Sequence, residues 1–115
     1  MNLIQGAQNL LKDAQSGRLT QVPEDAFEVG KDLAITPGKV VYRNRLIELI
    51  QYTPATETVH EIPILVVPPW INKYYVMDMQ PQNSLFKYLV DAGFTLFTIS
   101  WKNPDETVLD LEWDD

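Results

Sequence analysis

The chain contains no cysteine and a single histidine, His60. Without cysteine, these 115 residues hold no disulfide, no thiolate metal site and no cysteine nucleophile. One histidine and dispersed carboxylates do not supply the converging ligands of a metal centre, so neither a metal nor a cofactor is expected. The five glycines are isolated, which excludes a glycine-rich phosphate loop, and there is no G-x-S-x-G elbow. Cations are few and scattered: nine Lys and Arg stand against sixteen Asp and Glu, for a net charge of −7. Phosphate backbones require clustered cations, so this balance argues against nucleic acid. No apolar run approaches the ~20 residues that span a bilayer. The first residues lack the basic region and continuous apolar core of a secretory signal, so the expected location is the cytoplasm.

What is present is globular. A hydrophobic share of 45% with 10% aromatics is too apolar for a disordered chain. The length corresponds to one domain or part of one. Asn2 to Gln15 carries Leu3, Ile4, Ala7, Leu10, Leu11 and Ala14 at helical spacing. Asn2 is placed to cap this helix and Ser16-Gly17 to stop it. Its single apolar stripe suits packing on its own domain, or docking on a partner or hydrophobic particle. Leu19 to Glu24 reads as a polar connector, and Asp25 to Ala34 as a short second helix. Thr36-Pro37-Gly38 is a turn signal.

Lys39 to Tyr52 reads as a hairpin, with strands at Val40 to Arg43 and Leu46 to Tyr52 around a tight turn at Asn44-Arg45. Thr53 to His60 is a polar loop. Ile62 to Val67 is a nearly unbroken apolar run rich in β-branched residues, closed abruptly by Pro68-Pro69. It predicts a strand buried on both faces that ends in a stiff, extended loop. Asn83 or Ser84 then caps a helix with Leu85, Phe86, Leu89, Val90 and Ala92 on its apolar side, and Gly93 stops it. Phe94 to Ser100 is a second strand of the buried type. Residues 62 to 100 therefore form a β-α-β unit with parallel strands and a right-handed crossover. The loops after the two strands, Trp70 to Tyr75 and Trp101 to Pro104, must share one edge of the sheet. The acidic stretch from Asp105 to Asp115 reads as a solvated face or a helix start. Two strands of the buried type need more cover than this chain supplies, so it reads as an N-terminal piece of a larger α/β fold.

Ligands of open α/β sheets bind at the carboxyl ends of strands. His60 precedes its strand and is at the wrong end for catalysis. The loop PPWINKYY is at the right end. Pro68 and Pro69 have no N–H to give, so Trp70 and Ile71 carry the first free backbone donors past the strand. Held stiffly by the prolines, these N–H groups suit a developing oxyanion. The same residues equally suit a rigid, aromatic-capped turn that packs on the next helix.

Four segments carry a resemblance: FEVGKDLAITPGKVVYRNRLIELIQYTP, PILVVPPWINKYYVMD, PQNSLFKYLVDAGFTLFTISWKNPD and WDD. Together and in this order they resemble class I polyhydroxyalkanoate synthases, the poly(3-hydroxybutyrate) polymerases, over about residues 9 to 115. The resemblance implies an α/β-hydrolase fold, with residues 1–38 as an N-terminal helical region and 39–115 as an incomplete first part of the catalytic domain. It implies transfer of (R)-3-hydroxyacyl groups from coenzyme A to a growing polyester, through a thioester on a cysteine assisted by histidine and aspartate. All three of those residues lie, in the family, after the matched region. His60 does not correspond to the catalytic histidine, so this chain alone is expected to be inactive. In α/β-hydrolases the loop after strand three supplies one oxyanion N–H, which points to Trp70 or Ile71. Asn72, Tyr74, Tyr75 and Asp78 would line or brace the pocket entrance. The family further implies a dimer, polyester-granule or synthase contacts through the N-terminal helical part, and a cytoplasmic, granule-associated location.

Overall fold

The computed structural model describes residues 2–17 and 26–110. The expected connector from Leu19 to Glu24, and Trp113-Asp114-Asp115, lie outside them. Helix α1 runs Asn2–Ser16 and ends at Gly17, whose φ of +70° is the left-handed conformation that glycine adopts cheaply. The apolar stripe is not covered. Leu3, Ile4, Leu10 and Leu11 are all exposed, Leu3 at 89%.

The expected helix over Asp25 to Ala34 does not form in the described part of that segment. Residues 30–32 make a turn instead, bracketed by a bridge between Val29 and Leu33. A segment this short nucleates a helix poorly, and Gly30 at φ +88° breaks the one it would start.

The hairpin consists of β1 (Gly38–Arg43) and β2 (Ile47–Tyr52), paired antiparallel from Gly38 opposite Tyr52 to Arg43 opposite Glu48. The register shifts between Val40 and Tyr42, which leaves Val41 as a bulge. The turn is one residue longer than the expected Asn44-Arg45 pair. The Asn44 side chain accepts from the amides of both Leu46 (2.9 Å) and Ile47 (2.8 Å), so it replaces the missing glycine by hydrogen bonding. Gly38 is required for a different reason. A Cβ there would lie 2.9 Å from the Gln51 carbonyl oxygen.

Strand β3 (Ile64–Val66) pairs parallel with β4 (Leu96–Trp101), and β4 pairs antiparallel with β2. The sheet order is β1-β2-β4-β3. The β-α-β unit is therefore present, with α2 (Leu85–Asp91) between its strands. Ser84 caps α2 by accepting from the Lys87 amide at 2.9 Å, and Gly93 stops it at φ +90°.

The burial expected for the first of these strands is corrected. β3 is an edge strand among the described residues, not a central one, and Leu65 and Val67 are more than half exposed. Its unbroken apolar run reflects an open edge and an uncovered face. β4 holds the centre, with Leu96 and Thr98 fully buried. Among the described residues only one face is sealed, where α2 presses Phe86 and Val90 onto Ile50, Tyr52 and Leu96. Tyr52 meets Phe86 edge-on, with centroids 5.2 Å apart. Alternation puts Leu49, Phe97 and Ile99 on the other face, where they are only half-buried.

A single sealed face and two open edges among the described residues invite pairing between chains. Purified at micromolar concentration, the chain is expected to associate. Analytical ultracentrifugation should give a mass above 13.2 kDa. A monomer that unfolds in one cooperative urea transition would contradict this.

Candidate functional site

The loops that follow β3 and β4 meet at one edge of the sheet, as parallel pairing requires. Trp101, the last residue of β4, donates its indole N–H to the Pro68 carbonyl at 2.7 Å. Lys73 Nζ donates to Asn103 Oδ1 at 2.6 Å. The sequence placed the Trp101 to Pro104 loop on this edge beside Trp70 to Tyr75, though not these particular bonds. The only signal was the polar turn at the end of an adjacent parallel strand.

Pro68 is buried and its ring leaves the strand stiffly. The Asn72 amide then closes a turn onto the Pro69 carbonyl at 2.9 Å. Trp70 and Ile71 sit at the apex of that turn. Their side chains are 72% and 75% exposed, and among the described residues their N–H groups have no partner. A turn of 3-10 helix, Tyr74–Met77, follows, with Tyr74 and Tyr75 half-buried and edge-to-face at 5.1 Å. The apex therefore offers two unused donors beside aromatic surface. That geometry can bind a partial negative charge on oxygen.

Asp78 stands beneath the loop, not at its rim. It is 0% exposed. Its Oδ2 accepts from the Thr36 amide at 3.0 Å, and its Oδ1 from the Thr36 hydroxyl at 2.6 Å and the Ser84 hydroxyl at 2.5 Å. Its own amide donates to the Tyr75 carbonyl and its carbonyl accepts from the Ala34 amide, both at 2.9 Å. One residue thus ties the loop's far end to the segment entering β1 and to the cap of α2.

Beside it, Tyr52 is buried with its hydroxyl unpartnered. Burial raises the Tyr52 phenol well above its ordinary value, and the charge of Asp78 and then Tyr74 push it the same way. Tyr74 is raised too, first by burial and then by Tyr75, Asp78 and Glu48. Tyr74 and Tyr52 line an open cleft of about 420 Å³ together with Ile50, Thr36 and Lys39, whereas Trp70, Ile71 and Asn72 do not.

His60 lies at the opposite end of the β-α-β unit. Its amide donates to the Gly93 carbonyl at 2.9 Å and its ring stacks at 4.4 Å on Phe94. It is a loop-bracing histidine. In the acidic stretch, Asp105 caps a short 3-10 turn, Glu106–Val108, through the Thr107 amide, and Asp110 meets Arg45 at 3.1 Å. These carboxylates act at the surface.

The site is the carboxyl edge of a parallel β-α-β unit in an α/β sheet, with a proline-stiffened donor loop at its centre. Residues 1–89 match the family model for the poly-beta-hydroxybutyrate polymerase (PhaC) N-terminus, and the chain belongs to that family. It is 46% identical over 110 residues to the poly(3-hydroxyalkanoate) polymerase subunit PhaC of Cupriavidus necator, covering 96% of this chain and 19% of that protein. It is 50% identical over 117 residues to the poly(3-hydroxyalkanoate) polymerase of Methylorubrum extorquens, covering 98% and 19%. Poly(3-hydroxyalkanoate) polymerase 1 of Ectopseudomonas oleovorans is 51% identical over 114 residues, covering 97% and 20%. The chain spans about a fifth of the length of these curated relatives.

Tyr52→Phe removes an unpartnered buried hydroxyl and should be neutral to stabilising, by about 1 kcal/mol. The pH dependence carries a definite sign. Above about pH 10 the unfolded phenol ionises while the folded one stays neutral. The unfolded state then binds fewer protons, and stability falls as pH rises towards the folded value. Urea midpoints at pH 8 and pH 11 should drop less for the phenylalanine variant than for the parent. Equal drops would place the alkaline loss elsewhere.

Proposed function

We propose that this chain is the N-terminal portion of a polyhydroxyalkanoate synthase, an acyltransferase that joins (R)-3-hydroxyacyl groups from coenzyme A into polyester. Its part in the chemistry is half of an oxyanion hole. Trp70 or Ile71 gives one backbone N–H to the thioester oxygen as it gains charge, while the nucleophile and its base come from sequence beyond the matched fifth. The observation that carries this reading is the apex after β3, where two unpartnered donors follow a diproline at the carboxyl edge of the sheet. Asn72, Tyr74 and Tyr75 flank the approach to it. The sheet order favours a hydrolase-type architecture that continues past this segment. The chain crosses over so that β3 stands outside β4, and among the described residues the outer side of β3 is open to a further strand. On this reading residues 1–38, which begin with α1, lie ahead of the catalytic domain, and the protein acts in the cytoplasm on a water-soluble thioester.

A second reading rests on α1. Its uncovered stripe of Leu3, Ile4, Leu10 and Leu11 would let a short, non-catalytic protein dock on a synthase subunit or polyester granule.

The intact mass of the native product separates the two, since only the first requires a chain several times longer. The isolated 115 residues, lacking any thiol, should release no coenzyme A from (R)-3-hydroxybutyryl-CoA in a thiol-reagent assay. In a native product of polymerase length, Trp70→Pro and Ile71→Pro each delete one N–H. The variant that loses the working donor should turn over about 10²–10³-fold more slowly. Turnover within tenfold of the parent for both variants would remove the oxyanion role.

A further inference from the structure

The two N–H groups at the loop apex are aimed by nothing of their own. Neither has a partner among the described residues, and both side chains stand in solvent. Their direction is set by the Asn72–Pro69 turn bond, by Lys73 on Asn103, and by the fastenings at the two ends of the loop. The near end is held by Trp101 on the Pro68 carbonyl. The far end is held by Asp78.

The Asp78 carboxylate is an expensive fastening. It is fully buried, and among the described residues no cation pairs with it. A buried carboxylate is tolerated only when hydrogen bonds replace its water. Here all three donors are neutral: the Thr36 amide, the Thr36 hydroxyl and the Ser84 hydroxyl. An ordinary apolar contact would hold these segments together at less cost in desolvation. What the carboxylate adds is direction, because its two oxygens fix three donors from two segments in one geometry. The strain next to it points the same way. Ala34, whose amide bonds the Asp78 carbonyl, sits at φ +55°, a conformation unfavourable for a residue with a Cβ. Such strain persists only where the surroundings over-determine the backbone.

We propose that Asp78 is a positioning residue for the donor loop. It acts through the loop's backbone and does not touch substrate. This rests on the reading that Trp70 or Ile71 serves the oxyanion. Asparagine at position 78 would keep the shape but turn an amide N–H₂ towards donors that need an acceptor.

Hydrogen exchange by mass spectrometry on the full chain tests the fastening directly. In Asp78→Asn, peptides covering residues 69–77 should exchange at least tenfold faster, with β2 and β4 peptides unchanged. Unchanged loop exchange would overturn the proposal. So would equal acceleration of loop and sheet, which marks a residue that only stabilises the fold. Thr36→Val removes one donor at little cost in volume and should give the same pattern more weakly. It decides the matter if the asparagine variant unfolds. In a native product of polymerase length, Asp78→Asn should lower kcat tenfold or more with KM within twofold. Failure here alongside slow Trp70→Pro or Ile71→Pro variants would sink the positioning role and leave the oxyanion role standing. Fast proline variants would sink the oxyanion role itself.

Discussion

A carboxylate sealed from water and satisfied only by neutral donors governs this structure. Asp78 is reached by the Thr36 amide and hydroxyl from the segment entering β1, and by the Ser84 hydroxyl from the cap of α2. Its backbone closes the 3-10 turn on one side and binds Ala34 on the other. The hairpin, the donor loop and the crossover helix therefore meet at one residue. The bonds are individually worth only about a kilocalorie or two. Their joint effect is geometric, because neither the segment entering β1 nor the cap of α2 shifts without breaking bonds to Asp78.

The packing around that point is lopsided. One face of the sheet is sealed by α2 through Phe86 and Val90, while Leu49, Phe97 and Ile99 on the other face remain half-buried. Five buried hydrophobic side chains are a small core among the described residues. Hydrophobic burial is the main favourable term in folding, so polar fastenings such as Asp78 and the Trp101–Pro68 bond carry more weight here than in a thick core. The same imbalance fits a segment that spans a fifth of its relatives. Among the described residues, the groups left unused are the outer edge of β3 and the two N–H groups at the loop apex.

Much of the architecture was legible because it is written in local rules. The helix stop at Gly17, the Ser84 cap, the stop at Gly93 and the alternation of the hairpin are short-range preferences, and each element formed close to where they placed it. The errors lie where local pattern does not decide. A run such as Ile62 to Val67 has the same apolar composition whether a strand is central or at an edge, so the sequence did not reveal which side of β4 it joins. Likewise, Phe27, Gly30 and Leu33 sit at helical spacing, but the segment is too short to nucleate a helix and is drawn into a turn beside Ala34. For the site, the diproline marked the donor loop. Nothing marked Asp78 as buried, since its partners Thr36 and Ser84 lie 42 and 6 residues away.

By itself, then, the amino-acid sequence determined most of the elements, the parallel β-α-β unit and the stiff loop after its first strand, because capping, periodicity and proline geometry act over a few residues. It also ruled out a thiol, since no fold can supply an atom the chain lacks. The tertiary structure alone decided the strand order, the exposed face of β3, the meeting of Trp101 with Pro68 and the burial of the Asp78 carboxylate. Those depend on contacts between residues far apart in the chain, whose free energies are settled only when water is excluded from between them.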